Sequence, residues 1–136
     1  MRNPNKYLRL AYITALEADT GLSVYDKVIP KDLPFDTSYI LITSQTKTRY
    51  AISKTCYEWL VVVNTEVVCV NEKGYISTLK VDDVEEGVLN SVQGITVPGW
   101  SLKSKDLLDS VDADLETPTH TINRRIITHE HWLSEL

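Results

Sequence analysis

Apolar positions crowd most densely between Tyr57 and Val70, in the run Tyr-Glu-Trp-Leu-Val-Val-Val-Asn-Thr-Glu-Val-Val-Cys-Val, and the rest of the chain reads as its cover and its partners. β-Branched residues at this density predict a strand. Trp59, Val61 and Val63 fall on one face; Leu60 and Val62 fall on the other, which Glu58, Asn64 and Glu66 break with polar groups. One face is expected to be buried and the other half-buried. At about 3.3 Å per residue the run spans roughly 46 Å, well beyond the usual strand of about five or six residues. Such a strand must bend, break at a bulge, or run past its own domain to reach a neighbour.

Around this spine the pattern is helix, strands, helix, strands. Asn3 is a good N-cap and Pro4 suits the first helical position. Tyr7, Leu8, Ala11, Tyr12, Ala15 and Leu16 then give a wide apolar helical face, and Gly21 supplies the stop after Asp19 and Thr20. Leu22 to Ile29 reads as a short strand or extended edge, ended by Pro30 and Pro34. Tyr39 to Thr43 is a strand that continues through Gln45, and the polar, basic Thr46 to Ser53 reads as a loop or ragged hairpin arm. Asn71 to Gly74 is turn chemistry. Val81, Val84, Val88, Leu89 and Val92 mark a second helix that ends at Gln93-Gly94. In Val97-Pro98-Gly99-Trp100 the proline and glycine favour a type II turn. Ser110 to Glu116 alternates, with Val111, Ala113 and Leu115 on one face and Asp112, Asp114 and Glu116 on a wet, acidic one. Thr121 to Trp132 is the closing strand. The expected fold is α+β, one domain over residues 1–136 in which both helices pack on one face of a mostly antiparallel sheet of about four or five strands.

Composition changes this picture little. The 136 residues, 43% hydrophobic, suit one core that buries roughly two-thirds of the unfolded surface. No run approaches the roughly 18 apolar residues of a membrane span, and the N-terminus lacks a signal-like apolar block, so neither secretion nor membrane insertion is expected. Cys56 and Cys69 bracket the central strand, about 40 Å apart if it is continuous, so two free thiols and a reducing compartment are expected. The net charge of −5 argues against tight binding to phosphate backbones. Its distribution is uneven. Between Thr43 and Tyr57 lie Lys47, Arg49 and Lys54 with no acid; from Asp82 to Glu116 nine acids face only Lys103 and Lys105. A basic strip and an acidic region allow copies to stack head to tail, or to line a channel with one sign and meet partners with the other.

Candidate chemistry is thin. His129 and His131 share a strand face, with Glu130 and His120 near in sequence, but zinc needs three or four convergent ligands, and surface histidines are the expectation. Asp112, Asp114 and Glu116 are spaced like part of a calcium loop that lacks its turn glycine. Asp82 and Asp83 are adjacent on a helix and do not face each other. No glycine-rich phosphate loop is present, and Cys56 and Cys69 read as core thiols. No catalytic residue, cofactor or metal is expected. Trp100, placed after its turn, reads equally as a partner anchor or as a side chain packed back on its own core.

The order of elements carries a resemblance. An amphipathic helix is followed by a strand leading into a proline-rich turn (Tyr25 to Phe35) and a Tyr-Ile-x-Ile strand (Tyr39 to Ile42). Then come a long strand opening on Glu58-Trp59, a helix, and two closing strands, the last carrying Arg124-Arg125. This resembles phage tail-completion proteins, also called tail terminators or tail-to-head joining proteins, and the related head–tail connector rings. The connection from Gly94 to Asp109 departs from that family, which commonly turns there directly from helix to strand.

The resemblance implies a structural virion protein, made in the bacterial host cytoplasm, that closes into a ring of roughly six or twelve copies. Its partners would be itself, a portal or head-completion protein, and a tail tube or tail hub protein, with DNA passing through without specific binding. The subunit and partner interface is expected at Lys47, Arg49, Lys54, Trp100, Lys103 and Lys105. A lumen-facing acidic face is expected at Asp112, Asp114 and Glu116, where like charge would let DNA slide. The other reading is a small intracellular protein-binding module using Trp100 and the basic strip; an enzyme is disfavoured because no nucleophile, base and anion cradle converge.

Overall fold

A computed structural model describes residues 2–26, 36–52, 57–74 and 78–136. The first helix, α1 (Pro4–Thr20), starts where Asn3 accepts the backbone N–H of Asn5 and ends at Gly21, whose φ of 70° is the left-handed stop. β1 (Val24–Asp26) follows, then β2 (Thr37–Ile52) and β3 (Tyr57–Glu72), then α2 (Thr78–Gln93). β4 (Trp100–Leu102), β5 (Asp106–Asp112), β6 (Leu115–Glu116) and β7 (His120–Glu135) complete the chain. Of the proline-rich turn from Tyr25 to Phe35 only Tyr25 and Asp26 are described, and Lys54 and Cys56 also lie outside the described residues.

The sheet corrects the expected four or five mostly antiparallel strands. It has seven strands and is mixed, in the order β1-β2-β3-β7-β4, with β5 and β6 also paired to β7. Two features account for the difference. β1 lies parallel to β2, a direction that alternation cannot reveal. The outer flank of β7 is covered by three successive segments, β4 against Leu133 to Glu135, β5 against Arg125 to Glu130, and β6 against Thr121 and Ile122. Of the two readings of Thr46 to Ser53 the ragged hairpin arm holds through Ile52, which continues β2 against β3 with register irregularities between Ile42 and Ser44 and between Arg49 and Ala51.

β3 is the spine. It pairs without a break to β7 from Glu58 to Glu72, and both helices pack on one face of the sheet. Leu8, Tyr12 and Leu16 of α1 and Val81, Val88 and Val92 of α2 meet Ile40, Ile42, Val61, Val63, Val67, Cys69, Ile127 and Leu133 there. Removing this apolar surface from water is the main source of stability, at about 25 cal/mol per Å² buried. The other face holds a smaller buried cluster, Tyr39, Leu41, Val68 and Val70, at one end. Elsewhere that face is polar: Asn64 donates to Ser44 (2.6 Å) and accepts from Thr128 (2.7 Å), and Glu66 pairs with Arg124 (2.5 Å).

Candidate functional site

Among the described residues no three His, Cys, Asp or Glu side chains are placed to hold a metal ion. Burial pushes the Cys69 thiol upward, away from the thiolate a nucleophile needs. A groove of about 550 Å³ between α1 and the segment after α2 is lined by Tyr7, Leu10, Ala11, Ala15, Ile95 and Pro98 among others, without convergent charged groups. No helix among the described residues is long and apolar enough to cross a membrane.

The histidines are not on the surface. His129 and His131 are fully buried beneath the helices, their rings stacked 6.1 Å apart. The Ser104 carbonyl lies 3.1 Å from Nδ1 of His131, so Nδ1 carries the proton and Nε2 accepts from the Tyr12 hydroxyl. Burial pushes the pKa of His131 down to about 4, against the smaller opposing effect of the Ser104 hydrogen bond. Burial lowers that of His129 as well. Among the described residues neither ring nitrogen of His129 has a hydrogen-bond partner. His131, through Tyr12, ties β7 to α1 within the core.

The remaining features are the two sides of the sheet. On the β2 side, Ile40 and Ile42 face the helices; the irregularity at Thr43 shifts the phase, so that Gln45, Lys47 and Arg49, opposite Val63, Val61 and Trp59, take that face next. Gln45 is held by Arg9 (2.6 Å) and by the Asn5 carbonyl (3.2 Å), and Lys47 by the side chain of Asn3 (2.8 Å), all around the start of α1. Lys47 and Arg49 are exposed. β1 covers β2 only at Ile40 to Ile42, so from Ser44 onward no described strand pairs with the outer edge of β2.

On the β7 side, β5 is held to the body through charge. Arg125 of β7 binds Asp112 of β5 (2.8 Å) and, on α2, Glu85 (2.6 Å) and Asp82. Burial alone would lower the pKa of this guanidinium, but the hydrogen bonds to Asp82, Asp112 and Glu85 outweigh it and keep it charged. Ser110 adds a hydrogen bond to Glu85 (2.7 Å). The apolar residues of the segment do none of this holding. Leu107, Leu108 and Val111 of β5 and Leu115 of β6 are 46–53% exposed, spread over both faces of these outer strands. Ser110 to Glu116 was expected to bury one face; it forms β5 and β6 instead, and both faces of both strands are exposed.

The expected interface residues scatter. Lys47 and Arg49 lie along the β2 edge that no described strand pairs with. Trp100 is in the core at 5% exposure, under Arg2 and against Tyr7, with ring centroids 5.9 Å apart. The turn before it forms as its glycine predicts, with φ 83° at Gly99 and the Trp100 N–H bonded to Val97. Lys103 pairs with Glu58 (2.6 Å) over the Trp132 ring, and Lys105 donates to the Gln93 carbonyl (2.6 Å). Of the acidic trio, Asp112 is neutralised by Arg125, Asp114 accepts the Arg124 backbone N–H (3.1 Å), and Glu116 accepts from Thr121 (3.2 Å). Sequence reasoning missed the exposed apolar residues of β5 and β6, because alternation shows that a face is apolar and not which chain covers it.

The sequence matches no family model and no curated protein. The fold does have a solved counterpart. A chain in the structure described as "Virion of native gene transfer agent (GTA) particle" superposes with a TM-score of 0.74, covering 98% of this chain and 99% of that one at 15% sequence identity. At that identity the likeness shows a shared fold, end to end.

Proposed function

We propose that this chain is a structural protein of a phage or phage-like virion that closes into a ring at the head–tail junction or tail end. The ring joins a portal or head-completion protein to a tail tube or tail hub and leaves a channel for DNA. The observation that supports this most is the fold match to a chain from a gene transfer agent virion, over 98% of this chain and 99% of that one. Among the described residues the outer edges of β5 and of β2 from Ser44 onward are unpaired and Leu107, Leu108, Val111 and Leu115 are about half exposed, which agrees with it, since such surfaces suit permanent neighbours. Within this reading the whole chain is one domain, the exposed interface candidates among the described residues are Lys47, Arg49 and Lys103, and Asp114 and Glu116 carry most of the DNA-facing acidic role. The binding-module alternative leaned on Trp100, which lies in the core.

The test is location and loss. Gold-labelled antibody should mark purified particles at one point, between head and tail or at the tail end, and particles made without the protein should accumulate as unjoined heads and tails. Normal infectious particles lacking the protein would exclude this reading.

A further inference from the structure

We infer that the pair of His129 and His131 is a proton-sensitive joint: when the two rings take up protons, α1 leaves the sheet while the ladder of β2, β3 and β7 stays paired. The device is independent of the ring reading and stands or falls without it.

The two rings have no place for a proton while the joint is closed. Both are fully buried on one face of β7 and stacked 6.1 Å apart. His131 has both nitrogens committed, Nδ1 to the Ser104 carbonyl at 3.1 Å and Nε2 to the Tyr12 hydroxyl of α1. A proton on Nε2 turns that nitrogen from acceptor to donor, and the Tyr12 hydroxyl can no longer donate to it. On His129, whose nitrogens have no partner among the described residues, a proton buries a charge without an acceptor. Two cations at this separation also repel.

The surroundings offer no compensation. α1 presents Tyr12, whose ionisation burial opposes. β3 sets Val61 and Val63 opposite the two rings. The buried face of α2, Val81, Val88, Ser91 and Val92, carries no titrating group, and its Asp82 and Glu85 are held by Arg125. The segment entering β5 brings Lys105 and Asp106, whose charges act on His131 in opposite senses and less strongly than burial. Burial therefore holds both histidines below their ordinary value, His131 at about 4. A proton is accommodated where the joint opens to water.

The joint opens at α1 because of how each element is held. β3 is bound along its length to β2 and β7 by backbone hydrogen bonds, which do not titrate. α1 meets the sheet through side chains: Leu8, Tyr12 and Leu16 in the core, and the ion pairs Arg2 to Glu135 and Arg9 to Asp26, whose carboxylates acid also neutralises. The sign follows from linkage. An opened histidine titrates near 6.5 and a closed one lower, so opening is favoured as the pH falls below 6.5, by about a hundredfold per histidine at pH 4.5.

Amide exchange on the full-length protein at pH 7.5 and pH 4.5, expressed as protection factors so that the intrinsic pH dependence divides out, tests this. Protection over Pro4–Thr20 should fall about a hundredfold or more, while that of Val61 to Val70 in β3 stays within about threefold. The double variant His129→Gln, His131→Gln should lose most of this pH dependence. Should it not fold, imidazole titration of the native protein by NMR decides the matter: both rings should titrate together with the loss of α1 protection. Equal loss of protection in α1 and β3, or rings that titrate near 6.5 while α1 stays protected, would overturn the inference.

Discussion

β7 and β5 lie side by side, and both carry apolar residues, yet the two strands are held in opposite ways. On β7, Ile127, His129, His131 and Leu133 are fully buried under the helices. On β5, Leu107, Leu108 and Val111 stay about half exposed, while Asp112 and Ser110 fasten the strand to Arg125 and Glu85. One strand is stabilised by what its own chain covers. The other is kept in place by polar ties, leaving its apolar side chains for something else to cover. The contrast separates residues that hold the fold from residues that the described chain leaves exposed.

The comparison breaks most sharply at Ile127. Truncation to alanine should cost about 4 kcal/mol in urea unfolding, since a fully buried isoleucine leaves a cavity. A loss below about 1 kcal/mol would mean that the β7 core is looser than its burial implies.

Acid should act on the same strand. His131 has a folded pKa of about 4 against the ordinary 6.5, so the unfolded chain takes up its proton first as the pH falls. The stability it contributes is complete above about pH 6.5 and lost progressively toward pH 4, about 3 kcal/mol in all at 1.36 kcal/mol per pH unit. His129, also lowered by burial, adds in the same direction. Unfolding curves at pH 7 and pH 4.5 measure this, and a His131→Gln variant should show a weaker slope. Equal stability at both pH values would contradict the buried pair.

A smaller and more local effect is expected at Arg125. Replacement by methionine strands Glu85, whose side chain is 15% exposed, while Asp82 and Asp112 can turn to solvent, so the cost should be about 2 kcal/mol. Amide exchange from Asp106 to Asp112 should accelerate well before that of β3. Unchanged exchange there would show that β5 does not depend on its ion pairs. The smallest effect on the subunit is Leu108→Ser, expected within about 0.5 kcal/mol because the side chain already meets water. Its effect on assembly should be far larger than its effect on folding.

Much of the fold was legible because its signals are local. Asn3, Pro4 and Gly21 bound α1 by their own capping chemistry, and the β-branched run of β3 specifies a strand without reference to any partner. The burial of His129 and His131 was also legible in principle, since both share the strand parity of Ile127 and Leu133; their polarity hid it. What could not be read depends on distant geometry. The irregularity after Ile42 changes which residues of β2 face the helices, and nothing in Thr43-Ser44 announces it. The parallel direction of β1 and the splitting of β7's neighbour into three segments are pairing choices, invisible to periodicity. The candidate interface suffered most. Lys103 and Lys105 read as free charges until Glu58 and the Gln93 carbonyl were seen to hold them, and Trp100 read as anchor and core equally until the core closed over it.

The central claim is that this chain assembles through surfaces its own fold leaves uncovered. The most direct measurement is the solution mass of the purified protein by light scattering over a concentration series, with negative-stain images of the largest species. The account predicts one defined multiple of the 15.4 kDa chain, seen as a closed ring with an open centre. Single chains at every concentration, both alone and with purified tails added, would contradict it.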